Sequence, residues 1–317
     1  MARALLVGAT GTIGRAVAKE LVAQGFETVC VVRANRAATI DGAHYRTAHV
    51  TDAAHLLEHG FKAEPFDVVI SCLASRTGAP DDAWAIDYHA NLNTLEAAAM
   101  AGCQHFVLLS AICVQKPVLA FQRAKIAFED RLTAADITHS IIRPTAFFKS
   151  LSGQFDRVKA GKPFLLFADG ALTACKPISD EDLARYIVRA VRDTQMHNVV
   201  LPIGGPGPAQ TPRQQGEDLF EALGLPPKFR SVPIGMMDAI ITGLSLGGRM
   251  FPKLAVKAEL ARIGRYYATE SMLVWDPEQG RYDADATPSF GNDTLAGFFR
   301  QLASGEATVE RGDHAVF

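Results

Sequence analysis

The sequence predicts an α/β protein in which a doubly wound parallel sheet is joined to a smaller, mostly helical C-terminal domain. Short β-rich runs alternate with segments of helical periodicity through the first half of the chain. A glycine-rich turn separates the first of these strands from the first helix. Glycine and proline cluster at residues 204–208, and beyond them the sequence is mostly helical. Strands that alternate with helices form parallel sheets covered on both faces.

The predicted strands are short runs rich in β-branched and aromatic residues. They lie at residues 5–7, 28–32, 68–72, 106–109, 140–142 and 199–203. Apolar residues at helical spacing predict helices at residues 15–24, 91–101, 123–135 and 181–192. We expect residues 162–176 to form a hairpin, because Asp169 and Gly170 interrupt a strand-like segment. The order of these elements makes the predicted sheet Rossmann-like.

Composition excludes several classes of protein. The chain has 317 residues, and its 32 Lys and Arg against 34 Asp and Glu give a formal charge of -2. Because no large basic field results, we expect no nucleic-acid partner. The five cysteines are odd in number and form no Cys-x-x-Cys pair, which argues against disulfides, structural zinc and cysteine-ligated iron–sulfur clusters. We predict no metal bound by the protein.

Residues 8–14 read Gly-Ala-Thr-Gly-Thr-Ile-Gly and lie between the first strand and the first helix. The three glycines permit a tight turn, a close approach of a pyrophosphate to the backbone, and packing of helix on strand. The helix N-terminus adds a favourable field for negative charge. This context predicts a dinucleotide-binding loop. Its expected contact residues are Gly8, Thr10, Gly11, Thr12, Ile13 and Gly14.

The residue after the second strand discriminates between the two nicotinamide dinucleotides. NAD-binding proteins place an acid there, which accepts hydrogen bonds from the ribose, whereas this chain has Arg33. A guanidinium suits a 2′-phosphate, and Arg36 supplies a second charge. The sequence therefore predicts NADPH as the cofactor; the alternative is an exposed arginine at a strand end. Asp52 is expected either at the adenine or as a helix N-cap.

A second group of residues follows the central strands. Ser110 ends a strand, and Lys125 lies on the next helix at a spacing that resembles the short-chain dehydrogenase/reductase superfamily, whose members carry Ser and then Tyr-x-x-x-Lys. Phe121 occupies the tyrosine position and has no proton to donate, which disfavours simple ketone reduction. We predict Lys125 as the catalytic residue that holds the nicotinamide ribose. The alternative is an exposed lysine paired with Glu129 four residues along the helix.

Aromatic residues are expected near the end of a sheet strand, where ligands bind in such folds. Phe147 and Phe148 directly follow Arg143-Pro144-Thr145-Ala146, at the C-terminal end of a predicted sheet strand. Together with Phe121 and residues 164–167 they would suit a large, flat, apolar substrate. The alternative is that these rings belong to the hydrophobic core.

Longer blocks of sequence resemble the NADPH-dependent divinyl chlorophyllide 8-vinyl reductases over nearly the whole chain. The blocks are residues 72–76, 106–117, 121–125, 143–151, 174–179, 201–207 and 263–272. The resemblance implies reduction of the 8-vinyl group of 3,8-divinyl (proto)chlorophyllide a to ethyl, with NADPH and without flavin. It also implies a Mg-tetrapyrrole substrate and a step of chlorophyll or bacteriochlorophyll synthesis.

The same blocks supply the remaining predicted site residues. Cofactor contacts are expected from Leu73, Ala74, Ser110, Lys125, Pro144 and Thr145. Substrate contacts are expected from Phe121, Gln122, Phe147, Phe148, Lys149 and Lys176. Two other functions stay open: an NADP-binding redox sensor, which Phe121 also fits, and a reductase of another conjugated alkene.

The retained lysine beside Phe121 leads to a hypothesis about mechanism. Hydride adds to the terminal vinyl carbon, and the negative charge spreads into the conjugated macrocycle until the inner carbon is protonated. Delocalisation removes the need for an acid at an oxyanion, which makes Phe121 tolerable. Lys149, Lys176 and Tyr88 are unranked candidates for the proton donor.

We expect residues 1–150, with 177–204 returning to them, to form an NADP-binding domain, and residues 151–176 and 205–317 to bind the substrate. The N-terminus shows no export or transit signal, which predicts a cytoplasmic protein. Residues 234–248 are apolar but too short to span a membrane. We expect them in the core or at a domain interface, with a lid or peripheral contact at the inner-membrane face as alternatives. The sequence leaves the oligomeric state undetermined.

Overall fold

The structure, a computed structural model, describes residues 2–34 and 40–308. Within these residues the chain forms two compact units. The first comprises residues 2–34, 40–75, 80–144 and 180–202, and the second comprises residues 76–79, 145–179 and 203–308. Each unit is therefore assembled from separate stretches of the chain.

The strands and helices are numbered separately, each in chain order. The strands are β1 (Arg3–Val7), β2 (Glu27–Val32), β3 (Ala43–Thr47), β4 (Val68–Ser71), β5 (His105–Leu109), β6 (Thr138–Pro144), β7 (Phe164–Phe167), β8 (Val199–Ile203), β9 (Phe229–Val232), β10 (Val274–Asp276) and β11 (Arg281–Asp283). The α-helices are α1 (Thr12–Ala23), α2 (Ala53–His55), α3 (Pro80–Ala83), α4 (Asn91–Met100), α5 (Ala120–Thr133), α6 (Phe148–Leu151), α7 (Phe155–Lys159), α8 (Asp180–Arg192), α9 (Pro212–Ala222), α10 (Ile234–Gly248), α11 (Pro252–Thr269) and α12 (Leu295–Ser304). Leu56–Phe61 and Trp84–Ala90 are π-helical, and Ile112–Gln115 and Thr194–Met196 are 3₁₀ turns.

The first unit is built on a seven-stranded sheet within the described residues, in the order β3-β2-β1-β4-β5-β6-β8. β1 pairs in parallel with both β2 and β4, which places Val7 opposite Val31 and Ser71. The pairs β2–β3, β4–β5 and β5–β6 are also parallel. The strand order reverses at β1, and such a reversal opens a crevice at the carboxyl ends of the strands. The predicted Rossmann-like sheet is confirmed.

Helices cover this sheet because its central strands are buried at nearly every position. β4 and β5 consist almost entirely of buried residues, which requires cover on both faces. α1 packs against α8, while α4 packs against α5. Between the sheet and its helices lies an apolar core that includes the fully buried rings of Phe61, Phe106 and Phe128.

The second unit corrects one prediction from the sequence. Residues 162–176 do not form a hairpin; β7 pairs in parallel with the distant β9, with Phe164 opposite Phe229. Ala168 and Gly170 have φ angles of 51° and 77°, and the Gly170 N–H donates to the carbonyl of Phe167, which closes a turn. The expected turn is therefore present, but within residues 162–176 no second strand follows it to pair with β7.

The helix α10 corrects a second prediction. It packs against α11, yet none of its residues is buried, and Met236 and Ile240 are about half exposed. The expectation of core packing for these two side chains is wrong, because one neighbouring helix covers only part of a helix surface. Among the described residues no helix has the length and apolar character needed to cross a membrane.

Candidate active site

The glycine loop has backbone geometry that side chains would disrupt. Gly8 has a φ of 83°, and a Cβ at this position would lie 2.5 Å from the carbonyl oxygen of Cys72. A Cβ on Gly14 would lie 2.1 Å from the carbonyl oxygen of Gly8. Gly11 is the N-cap of α1 and makes no side-chain capping bond. The strand, turn and helix predicted from the sequence are confirmed, and the cradle fits a pyrophosphate against the backbone.

The structure bears differently on each of the three residues predicted at the adenine end of the cofactor. Arg33 is exposed and directly follows β2, the strand next to β1, as the prediction requires. Arg36 lies outside the described residues. Asp52 accepts a hydrogen bond of 3.0 Å from the backbone N–H of His55 and so caps α2. The capping alternative for Asp52 is therefore observed.

The loop after β4 connects the glycine turn to a buried carboxylate. Cys72 lies against Gly8, and Leu73 and Ala74, both predicted cofactor contacts, come next in the chain. The backbone N–H of Ser75 then donates to Asp87 Oδ1 over 3.2 Å. Burial raises the pKa of the Cys72 thiol to about 12, and this thiol is therefore neutral at physiological pH.

Lys125 pairs with Asp87 and not with Glu129. Its Nζ lies 2.9 Å from Asp87 Oδ1, and the two side chains are 11% and 0% exposed. The alternative of an exposed helical lysine is wrong, because α5 packs against the π-helical segment Trp84–Ala90 that carries Asp87. Sequence reasoning missed Asp87. The signal that could have indicated it is a single acidic residue that follows the apolar residues Ala85 and Ile86.

A second buried network surrounds Ser110. Its hydroxyl donates to Glu129 Oε1, and Arg143 Nε donates to Oε1 and Oε2 of the same carboxylate over 3.3 and 3.2 Å. The side chains of Glu129 and Arg143 are 4% and 20% exposed. These contacts tie β5, α5 and β6 together at the carboxyl edge of the sheet. Ser110 can still accept a hydrogen bond at its oxygen.

Two residues predicted at the start of α5 are buried. Phe121 is buried within the first unit. Gln122 is fully buried, and its Oε1 accepts hydrogen bonds of 2.8 and 2.9 Å from the N–H groups of Val118 and Leu119. Gln122 therefore caps the helix, a role that the prediction of a substrate contact did not include.

Of the substrate contacts predicted in the second unit, some are held by contacts within the protein and others are partly exposed. Phe148 lies in the core, with its ring centroid 5.6 Å from that of Phe298, as the core alternative anticipated. Lys176 Nζ donates to the carbonyl of Thr287 over 2.7 Å and to Ser289 Oγ over 3.3 Å. Phe147 and Lys149 are partly exposed.

The segment that follows β6 is anchored through its backbone and one hydroxyl. Pro144 is buried at the end of β6. The backbone N–H of Thr145 donates to the carbonyl of Ile203 over 2.9 Å, and its hydroxyl donates to the carbonyl of Lys176. Thr145, which is predicted to contact the cofactor, thus uses its hydroxyl to fix this segment within the second unit.

The glycine cradle and the parallel sheet define a dinucleotide-binding protein of Rossmann type. Residues 8–194 match the family model described as NAD(P)H-binding. An NADPH-dependent quinone oxidoreductase from Escherichia coli, solved with NADPH, has the same fold with a TM-score of 0.66. Its sequence is 17% identical, and the match covers 94% of this chain and 99% of that one.

Two relatives are much closer in sequence. A divinyl chlorophyllide a 8-vinyl-reductase from Cucumis sativus is 51% identical over 331 residues, covering 99% of this chain and 79% of that protein. The protein of the same name from Arabidopsis thaliana is 48% identical, covering 98% and 79%. The chain therefore belongs to the divinyl chlorophyllide a 8-vinyl-reductase family.

Proposed function

We propose that this protein reduces the 8-vinyl group of 3,8-divinyl (proto)chlorophyllide a to an ethyl group with NADPH, in chlorophyll or bacteriochlorophyll synthesis. The observation that carries the proposal is the 48–51% identity to divinyl chlorophyllide a 8-vinyl-reductases over 98–99% of the chain. This likeness includes the second unit, which a shared dinucleotide-binding sheet alone would not require.

The residues of the first unit are compatible with this chemistry. NADPH, when bound, supplies a hydride. The glycine loop would hold its pyrophosphate, and Lys125 would hold its nicotinamide ribose. Phe121 has no exchangeable proton, so α5 offers no acid where a reductase of ketones needs one. A vinyl group conjugated with a macrocycle needs no such acid, because the incoming electron pair delocalises into the ring.

The direct test is to mix the purified protein with NADPH and 3,8-divinyl chlorophyllide. We expect the blue absorption band of the pigment to shift and its mass to increase by two hydrogen atoms. Binding of NADPH without turnover would favour a redox sensor instead. Reduction of a quinone or phenylpropanoid alkene, with the pigment unchanged, would favour a different alkene reductase.

We propose NADPH over NADH because Arg33 follows β2 where an acid would serve the ribose of NADH. Changing Arg33→Asp removes a partner of the 2′-phosphate and adds repulsion. We expect NADPH affinity to fall roughly 10- to 100-fold while NADH binding is maintained, measured by fluorescence titration. Lys19→Asp, an exposed change of the same charge on α1, is the control. Equal loss in both variants, or an unchanged preference for NADPH, would contradict the assignment.

We also propose that the protein acts in the cytoplasm and contacts the membrane face peripherally through α10 and the start of α11. Exposed apolar side chains on this surface are Met236, Ile240, Leu246, Met250, Phe251 and Val256. Exposed basic side chains beside them are Arg249, Lys253 and Lys257. Apolar groups flanked by cations suit the interface of an anionic bilayer.

A further inference from the structure

The ion pair between Asp87 and Lys125 uses only one of the two carboxylate oxygens. Oδ1 lies 2.9 Å from Lys125 Nζ and accepts the Ser75 N–H over 3.2 Å. Oδ2 is buried and has no hydrogen-bond partner among the described residues. A buried carboxylate oxygen without a donor is destabilising, because the donors it had in water are not replaced. The geometry therefore calls for a donor that the described protein residues do not supply.

The position of Asp87 indicates which donor this is. Asp87 belongs to the π-helical segment Trp84–Ala90, and such segments are frequent at functional sites. Its partner Ser75 follows the loop whose Cys72 lies against Gly8 of the glycine turn. Asp87 and Lys125 are thus linked, through one loop, to the place where the dinucleotide backbone is expected.

The charge of the Asp87–Lys125 pair limits which chemical group can donate to Asp87 Oδ2. One carboxylate and one ammonium give a neutral pair, so Oδ2 offers an acceptor but no net positive charge for a phosphate. A neutral hydroxyl is the donor that fits, and each ribose of a dinucleotide carries hydroxyl groups. The adenine-side ribose is expected at β2 beside Arg33. The remaining ribose is the one on the nicotinamide side.

We propose that Asp87 both positions Lys125 and binds the cofactor: Oδ1 fixes the ammonium, and Oδ2 accepts a hydrogen bond from a hydroxyl of the nicotinamide-side ribose. This inference rests on the proposed NADPH-dependent function. It adds a residue that is absent from the Ser and Tyr-x-x-x-Lys pattern and that comes from a different part of the chain.

The variant Asp87→Asn tests the proposal. It keeps the size of the side chain and one acceptor oxygen, but an NH₂ donor takes the place of the second oxygen. We expect the Kd for NADPH to rise roughly 10- to 100-fold. Binding of 2′,5′-ADP, which lacks the nicotinamide-side ribose, should stay within about twofold, whereas general damage to the fold would weaken both ligands. Asp81→Asn, at an exposed acid on α3, is the control and should change neither.

An unchanged Kd for NADPH, or equal losses for NADPH and 2′,5′-ADP, would overturn the proposal. If Asp87→Asn does not fold, the double variant Asp87→Asn/Lys125→Gln removes both charges and is compared with Lys125→Gln alone. The double variant should bind NADPH more weakly than Lys125→Gln, with 2′,5′-ADP binding equal in the two; equal NADPH binding would overturn the role of Asp87. Wild-type protein is titrated and assayed in parallel. A wild type that binds NADPH and reduces the pigment, beside an Asp87→Asn variant that binds NADPH equally well, defeats this inference alone. A wild type that binds no NADPH defeats the proposed function as well.

Discussion

At the scale of single residues, Gly8 and Gly14 of the cofactor loop lie so close to neighbouring backbone atoms that a side chain would overlap with them. Gly8 combines a left-handed φ of 83° with a Cβ position 2.5 Å from the Cys72 carbonyl oxygen. The contact involves backbone atoms, so the neighbour cannot rotate away. The loop can therefore accept a side chain at Gly8 only if β1 and the loop after β4 separate.

We predict that Gly8→Ala abolishes measurable NADPH binding and lowers the free energy of unfolding by more than about 2 kcal/mol. Gly25→Ala is the matched control, because Gly25 has a φ of 78° but no atom within 4 Å of its Cβ position. It should lose only the conformational contribution of about 1–2 kcal/mol and should bind NADPH normally. Urea unfolding and fluorescence titration measure both quantities. Equal behaviour of the two variants would refute the close-approach argument.

A buried histidine makes stability depend on pH. Burial lowers the pKa of His105 to about 4, and the nearby His197 and His139 act in the same direction. His105 Nε2 is 3.0 Å from Ser140 Oγ, whose hydroxyl donates to the carbonyl of Met196, so neutral His105 donates to Ser140. The unfolded chain takes up this proton near pH 6.5, before the folded protein does. Protonation therefore favours unfolding.

We predict that this contribution is fully present above about pH 6.5 and is lost as the pH falls towards 4, up to about 3 kcal/mol. Urea unfolding at pH 7 and at pH 5 measures the loss. His105→Gln removes the titrating group, so its free energy of unfolding should fall less between the two pH values than that of the wild type. The same drop in both proteins would show that other groups are responsible.

At the scale of elements, one carboxylate joins two strands and a helix. Glu129 on α5 accepts hydrogen bonds from Ser110 after β5 and from Arg143 on β6. Because both charged side chains are largely buried, removal of one leaves the other without compensation. The network therefore fixes the helix that carries Lys125 relative to the carboxyl edge of the sheet.

We predict that Glu129→Ala lowers the free energy of unfolding by about 3–5 kcal/mol. Asp238→Ala is the control, since Asp238 and its partner Arg265 are 51% and 41% exposed. Exposed pairs contribute at most about 1 kcal/mol, so this change should have a small effect. Denaturant unfolding of both variants decides the comparison. A loss below 1 kcal/mol for Glu129→Ala would show that the network contributes little.

At the scale of the whole molecule, the apolar surface of α10 and α11 bears on where the protein acts. The proposed substrate of the protein is a large conjugated ring system. The exposed side chains of the α10 and α11 surface include Met250 and Phe251, at 78% and 58% exposure. Large apolar side chains exposed close together in the chain are typical of surfaces that contact another protein or a membrane. The basic residues beside them favour an anionic surface.

We predict that the protein floats with vesicles of anionic phospholipid in a density gradient and stays at the bottom with neutral vesicles. Met250→Ser/Phe251→Ser should reduce the floating fraction several-fold, because each buried apolar side chain contributes roughly 1.5–3 kcal/mol. Met100→Ser, at a residue 73% exposed on α4, is the control and should float like the wild type. Absence of the wild type from the floating fraction would refute membrane contact.

Much of the first unit is predictable from local sequence. The strand expected at residues 199–203 is β8, and the helix expected at residues 181–192 is α8 within one residue. Residues 162–176 show where such reasoning fails. The residues before Asp169-Gly170 form the strand β7, and a turn follows it as predicted. The strand that pairs with β7 is β9, which lies more than 60 residues further along the chain. Strand pairing over that distance leaves no periodic signal.

The sequence by itself determined the α/β class, the dinucleotide loop and the family resemblance, because periodicity, glycine conformation and long motif blocks are properties of neighbouring residues. The tertiary structure alone decided the partners of the chemical groups. In the structure Lys125 forms an ion pair with Asp87 and not with Glu129, and Glu129 pairs with Arg143. Phe148 is buried in a hydrophobic core. These outcomes depend on how helices and strands that are distant in the chain pack together, and packing sets which buried charges can be compensated.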